Sequence, residues 1–244
     1  MSNSLALRFR EDGFVILRGV HSRAKLSSTA IQLDREIHRL RNEYQQEKAD
    51  SMAKWCLPHR LDNGVLYDVY QRYPLLRALI DSKRVIRSIE FIMPEGFFLY
   101  VSSYLFKPPY ADNVVPWHQD FLSRNTESEK VIVWAPLEDV SEKNGCLRVI
   151  RGSHKNGFRK WFRVNGATHR DRIDISEEEA RNAENIIMKA GDVLLFSNYL
   201  IHSSEQNDSN DYRRALRYVF KSTTEIIIPR CTPIIFSTGR CNET

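Results

Sequence analysis

Pro116-Trp117-His118-Gln119-Asp120-Phe121 sets an imidazole and a carboxylate two residues apart, directly after a proline-bounded turn. On an extended strand, residues i and i+2 project from the same face. His118 and Asp120 are then placed to bind one metal ion from one face of one strand. A helix would not serve, because positions i and i+2 do not face one another there. His-x-Asp alone is a weak signal, and a polar strand end with a surface carboxylate reads the same way. A second imidazole would complete a site. The candidates are His21, His38, His59, His154, His169 and His202. The first five lie at or on the N-terminal helix, in polar irregular stretches or at the end of a turn, where surface or turn roles suffice. His202 differs because it ends an apolar segment, Leu194 to Phe196 and then Tyr199 to Ile201. There a satisfied core histidine and a metal ligand are both open readings.

Two His and one carboxylate on one face of an iron leave three positions free, the facial triad of non-haem Fe(II) oxygenases. Those positions let a bidentate 2-oxo acid and dioxygen bind side by side. Zinc, which favours closed tetrahedral sets or a single open position, matches less well. A 2-oxo acid held by its keto end needs its far carboxylate gripped, and the planar fork of Arg suits that task. Arg213, Arg214 and Arg217 follow His202 on the next expected strand. Alternation puts Arg213 and Arg217 on one face and Arg214 on the other.

The elements that must position these groups change character along the chain. Residues 5–20 read as a short helix, a break at Gly13 and a strand Phe14 to Leu17. Ser22 is a plausible N-cap for a long helix whose Leu26, Leu33, Ile37, Leu40 and Tyr44 form one apolar stripe, expected to pack on the protein's own sheet. Residues 50–65 read as irregular, with Pro58 and Asn63-Gly64 as turn signals. One or two short helices are expected between Pro74 and Ile89. From Phe97 the pattern becomes β, with Phe97–Val101 and Tyr104–Phe106 as runs of strand-favouring residues. Further strands are expected at Trp117, Val131–Ala135, Cys146–Ile150, Asp192–Phe196, Ile201–Ser204 and Arg213–Phe220. Asn144-Gly145 signals a tight turn. Residues 155–185 read as polar and irregular apart from a helix capped by Ser176, with Glu179 at the capping-box position. The tail, with Pro229 and Pro233, reads as a peripheral strand or packed extension. Helices first and about eight short strands after, without strand–helix alternation, favour a jelly-roll of two antiparallel sheets, a double-stranded β-helix with helices on one face. One domain over 1–244 is expected, its jelly-roll core at about 95 to 225.

Composition limits what the protein can be. At 244 residues and 42% hydrophobic it can bury one sizeable core. The 36 basic and 31 acidic residues are interspersed, and no basic arm points to nucleic acid. Cys56, Cys146, Cys231 and Cys241 form no CxxC and no disulfide framework. The start has no secretory pattern, and no apolar run reaches the roughly 18–20 residues of a membrane span. A cytoplasmic protein with a small-molecule partner is the expectation; oligomeric state is not legible.

The chain resembles the phytanoyl-CoA dioxygenase family of Fe(II)/2-oxoglutarate oxygenases. The resemblance runs from Phe9-Arg10-Glu11-Asp12-Gly13-Phe14 through Trp117-His118-Gln119-Asp120 to Trp134-Ala135-Pro136-Leu137-Glu138-Asp139. It continues with Asn144-Gly145-Cys146-Leu147, Gly152-Ser153-His154-Lys155 and Gly191 to Phe196, and ends with His202-Ser203-Ser204, Asn207 and Arg213. It implies that His118, Asp120 and His202 ligate Fe(II). It also implies that Arg213, eleven residues after His202, binds the cosubstrate carboxylate with help from Ser204. Lys107 and Trp134 lie on strands that in this family face the cosubstrate, although Lys107 also reads as surface and Trp134 as core. Phe121 and Trp117 could shape the substrate side. Residues 158–185 occupy the position of a variable lid, where Arg159, Arg163, Arg170 and Arg172 would favour an anionic substrate. The implied reaction is hydroxylation of an unactivated C–H bond of a small metabolite by Fe(II), 2-oxoglutarate and dioxygen, with release of succinate and carbon dioxide. Desaturation, epimerisation or ring closure would follow from a different substrate pose. Asp120 speaks against halogenation, which the resemblance associates with a small residue there. A non-catalytic binding member of the fold, or a cupin-like metalloenzyme without a 2-oxo acid, is the reading from another class.

Overall fold

The computed structural model describes residues 2–45, 65–110, 114–120, 129–165, 169, 171–224 and 234–237. Phe121, His59, Arg170, Cys56, Cys231, Cys241, Pro58, Asn63-Gly64, Pro229 and Pro233 lie outside the described residues.

Helix α1 (Ser2–Asp12) leads through Gly13 into β1 (Phe14–Leu17), followed by α2 (Arg23–Gln45). The Ser22 hydroxyl accepts a hydrogen bond from Lys25 N at 3.4 Å, as the N-cap reading expects. Next come β2 (Val65–Tyr67), α3 (Val69–Arg72), α4 (Pro74–Ile80) and α5 (Lys83–Ile92). The β-rich part contains β3 (Phe97–Lys107), β4 (Val115–His118), β5 (Val131–Pro136), β6 (Leu147–Val149), β7 (Trp161–Arg163) and β8 (Asp171–Ile173). After α6 (Glu177–Arg181) follow β9 (Glu184–Ile186), β10 (Val193–Ser197), β11 (His202–Ser204), β12 (Arg213–Ser222) and β13 (Ile234–Ser237).

The larger sheet runs β1-β10-β5-β12-β3-β13, with β2 also paired to β3; the smaller runs β4-β11-β6-β9. All these pairings are antiparallel, and the two sheets form the expected jelly-roll. Between them lies an apolar cluster that includes Val101, Ile132, Trp134, Leu147, Val149, Leu194, Phe196 and Val219. The outer face of the larger sheet buries Val131, Val133, Leu195, Leu216 and Tyr218 under helical residues including Leu26, Leu33, Leu79 and Ile89. The α2 stripe therefore packs on the sheet through Leu26, Ala30, Leu33 and Ile37. The side chains of Leu40 and Tyr44 lie outside the described set.

Three features differ from the expectation. The two runs 97–101 and 104–106 are one strand, because β12 pairs with β3 from Lys107 to Phe97. Ser102 is tolerated inside it because its hydroxyl accepts from Tyr70 N at 3.1 Å and donates to Gln71 at 3.0 Å. The stretch read as irregular between 155 and 185 contains a β7–β8 hairpin and β9 besides the expected helix, whose Ser176–Glu179 capping box forms. These strands have three residues each, too few for period-two alternation to register. Finally, β4 ends at His118, so Asp120 lies beyond the strand and not on its face.

The α2 packing sets a test. Leu33→Ala should lower unfolding stability by about 2–5 kcal/mol, the range for a buried Leu truncation. Ile31→Ala, at a side chain that is 53% exposed on the other face, should leave the denaturant midpoint almost unchanged.

Candidate metal centre

Neighbouring strands β4 and β11 place His118 directly opposite His202. The ladder carries an irregularity just beyond, since Ser204 pairs with Val115. Pro116 sits within it, where its missing N–H is least costly on an edge strand. The two rings lie 4.1 Å apart between centroids, at an interplanar angle of 47°. Nδ1 of His118 is 2.8 Å from Pro116 O, and Nδ1 of His202 is 2.9 Å from Leu200 O. A carbonyl only accepts, so each Nδ1 carries the proton and each Nε2 keeps its lone pair. Burial lowers both histidine pKa values, that of His202 to about 3, so both rings are neutral.

Asp120 joins them from the loop after β4. Its N–H donates to Asn198 O at 3.0 Å, in the turn between β10 and β11. Oδ1 lies 3.9 Å from His118 Nε2, and Oδ2 lies 3.0 Å from Arg217 Nη2. Burial alone would raise this carboxyl's pKa; Arg217 and the two imidazoles outweigh it and hold the group at about 2. Ligand atoms of His118, Asp120 and His202 all lie within 4.8 Å of one another. Two neutral imidazole nitrogens and one ionised carboxylate converging on one point suit a divalent transition metal.

Gln119, between the two candidate ligands, is a brace that the spacing does not reveal. It is buried, donates to Gly157 O at 2.8 Å and Tyr199 O at 2.6 Å, and accepts from Arg159 N at 2.8 Å. One side chain thereby ties the Asp120 loop to the β10–β11 turn and to the root of the 158–185 segment. A buried polar residue in the middle of His-x-Asp is the signal that could have identified it.

The larger sheet supplies the cations. Arg213 on β12 pairs in register with Lys107 on β3, and Arg217 with Trp134 on β5. Arg213 is 4% exposed, and its guanidinium lies 5.6 Å from the centre of the Trp134 ring. Its Nε has no hydrogen-bond partner among the described residues, and burial pulls its pKa down to about 10. Lys107 is not at the surface: it is 4% exposed, and its Nζ donates to Ser204 O at 3.2 Å and to Glu205 O. Gly145 makes room for that arrangement. Its φ is +74°, and a Cβ there would stand 2.6 Å from Glu205 O. Ser204 is buried on β11, two residues beyond His202. Arg214 points the opposite way, to Asp34 and Glu138.

Other expectations resolve differently. Trp117 lies against Arg148, whose ladder partner is Ser203. In the lid-like segment Arg159 pairs with Glu179 at 2.6 Å and Arg163 with Asp171 at 2.8 Å, so neither offers a free charge. A cavity of about 820 Å³, lined by Arg8, Arg18, Lys83, Arg84 and Arg87 among others, opens beside α1, β1 and α5. It shares no lining residue with the three converging ligands, which are the only such cluster among the described residues.

Two tests follow from this geometry. Gln119→Ala should cost about 1–3 kcal/mol for each buried partner left unpaired, with faster amide exchange at Asp120 and Arg159. For Lys107, burial and then Arg213 lower the pKa from 10.5 to about 6. Between those values the unfolded chain binds the proton that the folded chain has released, so stability rises with pH across that window. Lys107→Met should flatten that part of the stability–pH profile.

The comparisons with known proteins agree with this architecture. The family described as Phytanoyl-CoA dioxygenase (PhyH) matches residues 9–215. Phytanoyl-CoA dioxygenase domain-containing protein 1 of Mus musculus is 24% identical over 88% of this chain and 88% of its own length. Phytanoyl-CoA dioxygenase of Arabidopsis thaliana is 37% identical over 47% of this chain and 41% of its own. Among solved structures, the non-haem monooxygenase ThoJ superposes with a TM-score of 0.74 at 19% identity, covering 96% of this chain and 85% of ThoJ. EvdO2 from Micromonospora carbonacea var. aurantiaca, solved with 2-oxoglutarate, gives 0.67 at 20% identity over 94% of each chain. The epimerase SnoN, solved with Fe3+, α-ketoglutarate and nogalamycin RO, gives 0.65 at 18%, covering 91% of this chain and 84% of SnoN. Iron, 2-oxoglutarate and dioxygen are the requirements of the family that matches. With a jelly-roll of this order and a match over residues 9–215, the chain belongs to the phytanoyl-CoA dioxygenase family.

Proposed function

We propose that the protein is an Fe(II)- and 2-oxoglutarate-dependent dioxygenase that hydroxylates an unactivated C–H bond of a small-molecule metabolite. In this reading His118, Asp120 and His202 hold the iron, and residues 1–244 form one oxygenase domain. The observation that carries it is the convergence of two neutral imidazoles and an ionised carboxylate within 4.8 Å, with a buried arginine on the larger sheet whose Nε has no hydrogen-bond partner among the described residues. When bound, iron with 2-oxoglutarate and dioxygen supplies the oxidant, leaving succinate and carbon dioxide.

The chain's own residues hold and orient. Pro116 O and Leu200 O fix the imidazole tautomers, so both lone pairs are ready without a proton having to leave. Arg213, on the inner face of the larger sheet, takes the far carboxylate of 2-oxoglutarate, with Ser204 assisting. A carboxylate there would offset a buried charge that burial now disfavours. Trp134 backs the guanidinium, and Lys107 stands opposite Arg213 in register, so both belong to the wall of the cosubstrate site. Gln119 holds the segment after Gly157 close to the metal side, where it would exclude water.

Anaerobic titration with Fe(II) and 2-oxoglutarate should produce a visible metal-to-ligand charge-transfer band. His202→Ala should abolish it. Arg213→Met should weaken 2-oxoglutarate binding by about 10- to 100-fold, matching the ~1.5–3 kcal/mol of a hydrogen bond to a charged group. Bound iron without a band in the wild type would remove 2-oxoglutarate from the reading and point to a different metalloenzyme or a binding protein.

A further inference from the structure

The two oxygens of Asp120 have different neighbours. Oδ1 faces His118, 3.9 Å from its Nε2, while Oδ2 is 3.0 Å from Nη2 of Arg217, an ion-pair contact rather than an aligned hydrogen bond. Both side chains are largely withdrawn from water, at 14% and 15% exposure. Asp120 comes from the loop after β4, whereas Arg217 comes from β12 of the facing sheet, so the contact crosses the interior. No second acidic partner is recorded for Arg217 among the described residues. Strand alternation puts Arg217 on the same face as Arg213, two steps further along, but Arg213 has no such partner.

The number of oxygens that Asp120 gives the metal decides what else can bind there. With one oxygen, the three side chains fill three of six positions and leave three open. A chelating 2-oxo acid takes two of these, and one remains for dioxygen. With both oxygens, four positions are filled and the 2-oxo acid takes the last two.

We infer that Arg217 is a positioning residue: by holding Oδ2 it keeps Asp120 to one-oxygen coordination and so reserves the position that dioxygen needs. The inference rests on the iron and 2-oxoglutarate reading. Arg suits the role because it stays charged at any working pH, so its attraction for Oδ2 is permanent. Its charge also opposes the metal's. Removing it should therefore not loosen the metal, which separates positioning from general support of the site.

The test uses the full-length protein loaded with Mn(II) in place of iron, with water-proton relaxation reporting the waters on the metal. In the wild type, three waters should be seen, falling to one on saturation with 2-oxoglutarate. R217M should show two, falling to none, with Mn(II) affinity equal to or greater than wild type. R217K, which keeps a positive charge facing Oδ2, should stay closer to the wild-type counts. The inference is overturned if R217M keeps the wild-type counts, or if it binds Mn(II) more weakly, since Arg217 would then only support the site. Two waters on the wild-type metal would overturn it without reference to any variant. A wild-type count that does not fall with 2-oxoglutarate would overturn the cosubstrate reading on which the inference rests; a fall of two in both proteins from equal starting counts would overturn the role of Arg217 alone.

Discussion

His118 and His202 face each other across β4 and β11 with ring centres 4.1 Å apart, in surroundings too dry to support two imidazolium charges. Each ring donates its Nδ1–H to a carbonyl two residues earlier in its own chain segment. The remaining lone pairs are thereby directed toward each other and toward Asp120. Two imidazole lone pairs and a carboxylate turned toward one point suit a divalent cation. The strand pairing that produces it depends on β11 lying between β4 and β6, and so on the closure of the whole smaller sheet.

The two sheets contribute different chemistry to the space between them. The smaller sheet and its adjoining loop bring neutral nitrogens and one carboxylate. The larger sheet brings the cations Arg213 and Arg217, with the largely neutral Lys107 beside Arg213, on strands stiffened from behind by the helical layer. Such a division lets unlike charges meet only after the sheets have packed. Asp120 meets Arg217 in this way, which is why a carboxylate that burial would protonate remains ionised. Arg213 forms no salt bridge among the described residues, although the charge of Glu138 acts on it.

Charge at the periphery carries less information. The arginines of the 158–185 segment suggested an anionic substrate, yet Arg159 and Arg163 are matched by Glu179 and Asp171 within the same segment. Exposed pairs of this kind contribute little to stability or attraction. For Arg159 and Arg163 the neighbouring carboxylates account for the charge.

Local rules determined much of this protein. A run between two glycines named β1, Gly191 introduced β10, apolar runs named β5 and β12, the Ser22 and Ser176 caps named helix starts, and the seven-residue spacing of Leu26 and Leu33 named the face that α2 buries. The family resemblance, rather than any local rule, named His118, Asp120 and His202 together, and period-two alternation already separated Arg213 and Arg217 from Arg214. Only the tertiary structure decided the rest. Asp120 leaves the strand because its N–H pairs with Asn198 in a distant turn, not with a ladder partner. Lys107 is buried because the Ser204 and Glu205 carbonyls come from far along the chain to receive it. Arg217 holds Asp120 because two sheets pack face to face, and no spacing along one strand can state what the opposite sheet will present. Periodicity reports which way a side chain points; what it meets there is set by contacts between residues remote in the chain.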